Sequence, residues 1–315
     1  MNDTIKNPIP DVANEGWYSQ LKNDPARLDA LSKDNQTIFD KAFEGKTPVS
    51  NQNNLLYVAT GGPPLSGKST LLEQELNGNN DVRYSQAIRV DPDEYTLPFM
   101  QNTRNLLAND ASSQDVYTAL RPGSNIIANG LLNSAATHGY NIAHGTTMTN
   151  PKASGMLDTL GELGYTRRIL LTDAPDASRQ EMKAYREGSG DFHATSSDFI
   201  NKGVGSAQSA TTAFLHADEV RVYWKPEREV DHVLAASYSN GIKTIHDQNA
   251  LDQYATQYEQ KRGVLQQQGR DLPSWDGLET AYSQRFQAQL ENTNSTQWQD
   301  NMKSRDNNQG TENYR

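Results

Sequence analysis

Gly62-Pro63-Pro64-Leu65-Ser66-Gly67-Lys68-Ser69 fits the pattern of a glycine, four residues, then Gly-Lys-Ser/Thr. That spacing suits one task. Glycine-rich backbone lets several N–H groups converge on phosphate oxygens, and the helix that follows turns its positive end toward the same anion. Lys68 can then reach the outer phosphates of ATP, and the Ser69 hydroxyl can ligate Mg²⁺; Gly62, Ser66, Gly67 and Thr70 complete the expected nucleotide-binding set. Leu65 stands where many such loops carry glycine, so the local backbone is expected to differ there. About twenty residues on, Asp91-Pro92-Asp93 closes an extended segment. Residues two apart on a strand share a face, so both carboxylates are expected to face the phosphates. One would accept the proton of an attacking hydroxyl while the other assists the metal. A proline turn with solvated carboxylates is the plainer alternative for the same residues.

The elements that must hold these groups follow a βα rhythm. An apolar strand at 55–60 runs straight into the loop, and the helix behind the loop stops near 77–80. An extended segment spans 86–95, and a helix is predicted over 124–137 with Ser124 as its N-cap. A buried strand over 141–147, a helix over 154–164, a strand over 167–175 and a helix over 176–188 follow. Late strands are expected at 219–224 and 232–237, and one or two amphipathic helices at 25–44. The expected division is a polar arm with N-terminal helices (1–54), the phosphate-loop domain (55–247), a helical extension (248–292) and a disordered tail (293–315). The fold class is α/β, a P-loop three-layer sandwich around a mostly parallel sheet, with helical extensions at both ends.

Composition narrows the function. The chain has 315 residues, 35% of them hydrophobic, and 29 Lys+Arg against 39 Asp+Glu give a net charge of −10. That balance argues against a nucleic-acid partner, which needs a basic field. Without cysteine there is no disulfide framework and no thiolate chemistry. No apolar run is long enough to span a bilayer, and the first residues lack an apolar signal segment. The expected location is the cytoplasm, or a target cell reached by a route without such a signal. No metal-binding spacing links the six histidines, so Mg²⁺ held by Ser69, phosphates and water, with Asp91 or Asp93 as a further ligand, is the expected metal.

In the order and spacing of GGPPLSGKST, RVDPDEYTLP, THGYNIAHGTTMTNP, ELGYTRRILLTDAP and SRQEMKAYRE, the chain resembles the zeta toxin family of bacterial P-loop kinases over roughly 55–235. The resemblance implies ATP-dependent phosphorylation of a hydroxyl on a nucleotide-containing small molecule such as UDP-N-acetylglucosamine. It further implies a toxin or effector role with an antitoxin or chaperone partner. By the same resemblance Lys68 and Ser69 serve ATP and Mg²⁺, Asp93 is the general base and Arg186 stabilises the transferring phosphate. Arg179, Lys183 and Arg186 sit at i, i+4 and i+7 of one helix and would present a single basic face, Arg179 to the nucleotide and Lys183 to the substrate. Asp91, His144 and Thr146 are the other expected substrate contacts. Two departures fall on substrate functions: His144 stands where the family carries a glutamate, and His193 where it places a second phosphate-contacting arginine. An acceptor such as NAD or a polynucleotide 5′-hydroxyl is one competing reading. The other, of a different class, is an ATP-dependent protein-binding module with no use for a base at Asp93.

Overall fold

Alternation along the first strand sets the layers. In the computed structural model, which describes residues 24–50, 54–109, 111–189, 196–289 and 291, strand β1 (Leu56–Gly61) is buried throughout. Tyr57 and Ala59 enter the larger core cluster, while Leu56 and Val58 enter a smaller one on the opposite side. A strand with apolar side chains on both faces needs cover on both, which a parallel α/β sheet supplies.

Seven strands form one sheet. They are β1, β2 (Ile88–Val90), β3 (Ile142–His144), β4 (Thr166–Asp173), β5 (Glu219–Trp224), β6 (Val233–Ser239) and β7 (Ile242–Ile245), in the spatial order β2-β3-β1-β4-β5-β6-β7. The first five strands are parallel, and β6 and β7 add an antiparallel edge. The helices longer than two turns are α1 (Pro25–Phe43), α2 (Lys68–Asn77), α3 (Ser113–Thr137), α4 (Ala153–Glu162), α5 (Asp176–Ser189), α6 (Ser196–Val204), α7 (Ser206–His216), α8 (Gln248–Gln267) and α9, over 275–289. Leu71, Leu72 and Leu76 of α2 cover the small cluster. Helices α1, α3, α4, α7, α8 and α9 feed the large one. Among the described residues no helix is long and apolar enough to cross a membrane.

Two expectations are corrected. Helix α3 starts at Ser113, capped by Ser112, whose hydroxyl accepts the Asp115 amide at 3.2 Å; it does not start at Ser124. Pro122 lies inside it, and a helix-interior proline costs about 3 kcal/mol. Leu120, Ile127, Leu131 and Leu132, all buried, outweigh that cost. Ser124 is itself fully buried and donates to the Pro92 carbonyl. The second correction concerns 86–95, of which only Ile88–Val90 is strand. After an extended Asp91 the chain winds into a π-helical turn, Pro92–Thr96. Residues of the helical extension also join the core. Tyr254 and Tyr258 of α8 and Trp275 and Tyr282 of α9 surround or adjoin Phe214 in the same cluster as the sheet.

Helix α1 is tied in by a buried carboxylate. Asp34 accepts the Asn102 and Thr103 amides at 2.9 and 2.8 Å and the Thr103 hydroxyl at 2.6 Å. The polar arm, the tail 293–315 and His193 lie outside the described residues.

Candidate active site

The loop between β1 and α2 is shaped by positions that only particular residues tolerate. A Cβ on Gly62 would lie 2.0 Å from the Thr172 carbonyl oxygen, and one on Gly67 would lie 2.7 Å from the His232 ring. Both have positive φ, 136° and 78°. Leu65 is also left-handed, at φ 66°, which for a side chain with a Cβ is a strained state held by its surroundings. This is how the leucine that departs from the usual glycine is accommodated. The Ser66 hydroxyl donates to Pro63 O at 2.9 Å. The Thr172 hydroxyl and His232 Nε2 both donate to Ser66 O, at 3.2 and 3.0 Å.

Lys68, the first residue of α2, folds back and donates to Pro63 O at 2.5 Å. Burial, with Arg179 beside it, lowers its pKa to about 7, against the pull of Asp91 and Asp173. Arg179 is 2% exposed and lies under the loop: Nε donates to Pro64 O at 3.0 Å, and the guanidinium packs on the Phe199 ring at 4.4 Å. Behind it, Asp173 at the end of β4 takes a 2.6 Å hydrogen bond from Lys261 of α8. Both side chains are almost fully enclosed, at 4% and 7% exposure.

A cleft of about 1060 Å³ opens in front of the loop. Gly67, Lys68, Ser69 and Thr70 line one part of it; Asp91, Asp93, His144, Thr146 and Arg186 line the rest. Asp91 and Asp93 do not share a strand face, because the turn at Pro92 separates them. Asp91 caps that turn, accepting the Asp93 and Glu94 amides at 2.8 and 3.1 Å. Burial raises its pKa to about 6. Asp93 forms an ion pair with Arg121 of α3. His144 meets the hydroxyl of buried Tyr57 at 2.8 Å through Nδ1, and burial lowers its pKa to about 4. A buried hydroxyl must place its proton, so Tyr57 donates and the neutral ring carries its own proton on Nε2. Thr146 is held by a reciprocal pair with Thr60: its amide donates to Thr60 Oγ1 at 3.1 Å and its carbonyl accepts from Thr60 at 2.9 Å.

The basic face expected on α5 divides into three. Arg186 lines the cleft, Arg179 is used up beneath the loop, and Lys183 pairs with Glu187 along its own helix. Gly62 and Ser66 shape the loop from behind the cleft wall. Residues that sequence reasoning missed supply the remaining polar wall: Arg121, Asn125 and Asn129 from α3, Lys202 from α6, and Lys225 and Arg228 after β5. The four-residue spacing of the α3 group was the available signal, masked by Pro122. Seven lysines and arginines against five carboxylates line the cleft, a local positive excess on a chain of net charge −10. Such focusing draws anions in. Among the described residues no three His, Asp or Glu side chains cluster closely enough to hold a metal unaided. The Ser69 hydroxyl and the carboxylates of Asp91 and Asp93 line the same cleft, a set of oxygen donors that fits an ion arriving with nucleotide phosphates.

Residues 58–202 match the AAA_33 family model, an AAA domain. The core of this chain is a P-loop domain. No curated protein matches the sequence. Solved structures resemble the P-loop domain together with its helical extensions. AvrRxo1-ORF1:-ORF2 with ATP aligns over 87% of this chain and 95% of the other at 13% identity and a TM-score of 0.54. The same pair with sulphate ions aligns over 87% and 95% at 14% identity and a TM-score of 0.51. The PezAT chromosomal toxin-antitoxin system of Streptococcus pneumoniae aligns over 67% and 81% at 14% identity, with a TM-score of 0.44. At these identities the first two likenesses establish the fold, a mostly parallel P-loop sheet with helices on both faces.

Proposed function

We propose that the chain is an ATP-dependent phosphotransferase that moves the γ-phosphate of ATP to a hydroxyl of a nucleotide-containing small molecule of the UDP-N-acetylglucosamine kind, acting as a toxin or effector. The observation that carries this reading is one cleft lined both by the Gly67–Thr70 end of the phosphate loop and by the Asp93 carboxylate. A pure nucleotide-binding module has no use for that carboxylate.

The loop amides and the start of α2 would bind the phosphates, with Lys68 leaving Pro63 O for them. Ser69 and one of Asp91 and Asp93 would hold Mg²⁺, which when bound neutralises charge on the β- and γ-phosphates. Asp93 would accept the acceptor's hydroxyl proton as the new O–P bond forms and the bond to the β-phosphate oxygen breaks, releasing ADP. Arg186, whose side chain reaches the same cleft, would stabilise charge on the transferring group. ATP as the nucleotide is supported by the AvrRxo1-ORF1:-ORF2 structure with ATP, and a protein partner by that structure being a pair of chains. Cytoplasmic action, in the producing cell or in a target cell, follows from where ATP and nucleotide-sugars are found.

Incubation with labelled ATP and a panel of UDP-N-acetylglucosamine, NAD and a 5′-hydroxyl oligonucleotide, read by mass spectrometry, tests the reading. A product heavier by one phosphoryl group, absent with Lys68→Ala, is the expected result. ADP formation that no acceptor alters, with no phosphorylated product from the panel or from a metabolite extract, would overturn it.

A further inference from the structure

Helix α3 presents Tyr117, Arg121, Asn125 and Asn129 to the cleft, one residue every four and therefore one face of the helix. Its register against the Asp93 turn is fixed by the Ser124 hydroxyl on the Pro92 carbonyl. The Arg121 guanidinium lies 5.8 Å from the Tyr117 ring and forms the ion pair with Asp93. The strip combines a planar cation suited to a phosphate, two side-chain amides that both donate and accept, and an aromatic face. The carboxylate that would receive a proton is therefore occupied by the cation best placed to bind an incoming anion.

We propose that α3 is the acceptor-binding element, and that Arg121 exchanges partners, leaving Asp93 for a phosphate of the acceptor and so freeing the carboxylate for the acceptor's hydroxyl. The proposal rests on the phosphotransferase reading for its consequence, though not for the binding itself. The exchange is easy in one direction only. The two side chains are 26% and 35% exposed, and ion pairs at that exposure hold weakly. A phosphate offers more charge and a bidentate geometry. A water molecule can accept a hydrogen bond from Arg121 but brings no negative charge to replace the carboxylate, so without an anionic acceptor the pair with Asp93 is favoured and ATP hydrolysis is slowed.

The full chain, saturated with Mg²⁺ and a non-hydrolysable ATP analogue, is titrated calorimetrically with UDP-N-acetylglucosamine, with NAD and with uridine. At least one pyrophosphate compound should bind more tightly than neutral uridine. Arg121→Gln should weaken that binding by at least ~10-fold, the scale of a lost charged hydrogen bond. Asn125→Ala and Asn129→Ala, which spare the ion pair, should weaken it several-fold and serve if Arg121→Gln misfolds. Without acceptor, Arg121→Gln should hydrolyse ATP faster than the wild type; a merely structural role would slow hydrolysis and transfer together. Binding unchanged by every α3 variant, no binding of either pyrophosphate compound, or hydrolysis that falls in Arg121→Gln overturns the proposal. If binding depends on Arg121 but no phosphorylated product ever forms, the phosphotransferase reading fails and the binding strip stands.

Discussion

At the loop end of the cleft, the groups that would meet a ligand are backbone amides in a strained turn. They are braced from behind by side chains that do not line the cleft: Thr172 and His232 on the Ser66 carbonyl, Arg179 on the Pro64 carbonyl. At the Asp93 end the groups that line the cleft are side chains satisfied by other side chains, Asp93 by Arg121 and His144 by the buried Tyr57. Backbone braced this way cannot rearrange cheaply, whereas a side-chain pair can trade one partner for another. A phosphate loop has one ligand class to serve, and rigidity serves it. On the phosphotransferase reading, the Asp93 end would have to refuse water and admit one hydroxyl, which calls for groups that change partners.

The largest effect should come from Asp93→Asn. Transfer should fall by about 10²–10⁴-fold, the usual contribution of a general base, while binding of a fluorescent ATP analogue is retained. Loss of nucleotide affinity, recovered at high Mg²⁺, would instead move Asp93 to the loop end as a metal anchor and erase the distinction. Asp91→Asn is the control: if it alone abolishes transfer, the base is Asp91.

Next comes the bracing beneath the loop. Lys261→Met strands the Asp173 carboxylate, and breaking a buried pair by removing one partner costs about 3–5 kcal/mol. Urea unfolding should show the loss, and adding Asp173→Asn should restore part of it. Full stability in the single variant would mean that the pair is not a brace.

A smaller effect separates the ends by pH. Lys68, near 7 in the free protein, gains anionic phosphates on binding, so its pKa must rise. ATP binding at pH 8 should therefore take up a fraction of a proton, and affinity should weaken as pH climbs above about 7. Calorimetry in buffers of differing ionisation enthalpy reads the uptake, which Lys68→Met should abolish.

The smallest effect concerns Asp91. Its pKa, raised to about 6 from an ordinary 3.8, means that its favourable contribution is complete below about 3.8 and is lost as pH rises through about 6. Asp91→Asn should gain on the wild type between pH 4.5 and pH 7.5 by about 2 kcal/mol, seen as a melting-temperature difference of several degrees. A pH-independent difference would place the Asp91 pKa near its ordinary value.

The contiguous parts of the site were legible in the sequence. Residues 62–69 carry their geometry in their own spacing, and β1, β4 and β5 announce themselves by apolar runs. The wall that α3 gives the cleft was not, because its parts are local only in space. The helix is expected to begin at Ser124, whereas tertiary burial carries it from Ser113 through Pro122. Asp91 and Asp93 read as one strand face, since the carboxylate that caps the Pro92 turn gives no separate signal. Arg179, Lys183 and Arg186 share a helical phase, but one is buried beneath the loop and one is paired along the helix. Which of three cations on one stripe reaches a cleft depends on what packs against the helix, and that is absent from the stripe.

The Lys261–Asp173 pair also sets an order of events. The two residues are 88 positions apart in the chain. At ~5–20 residues per second of synthesis, roughly 4–18 s pass between making the carboxylate and making its cation. Through that interval the buried Asp173 carboxylate lacks the ammonium it pairs with directly, and the floor of the nucleotide site is incomplete. Ribosome-arrested chains ending at residue 250 should fail to bind immobilised ATP that the released full chain retains; equal retention would disprove this. Enzymatic competence would then be conferred last, by the arrival of α8, so that unfinished and prematurely terminated products stay inert inside the cell that makes them.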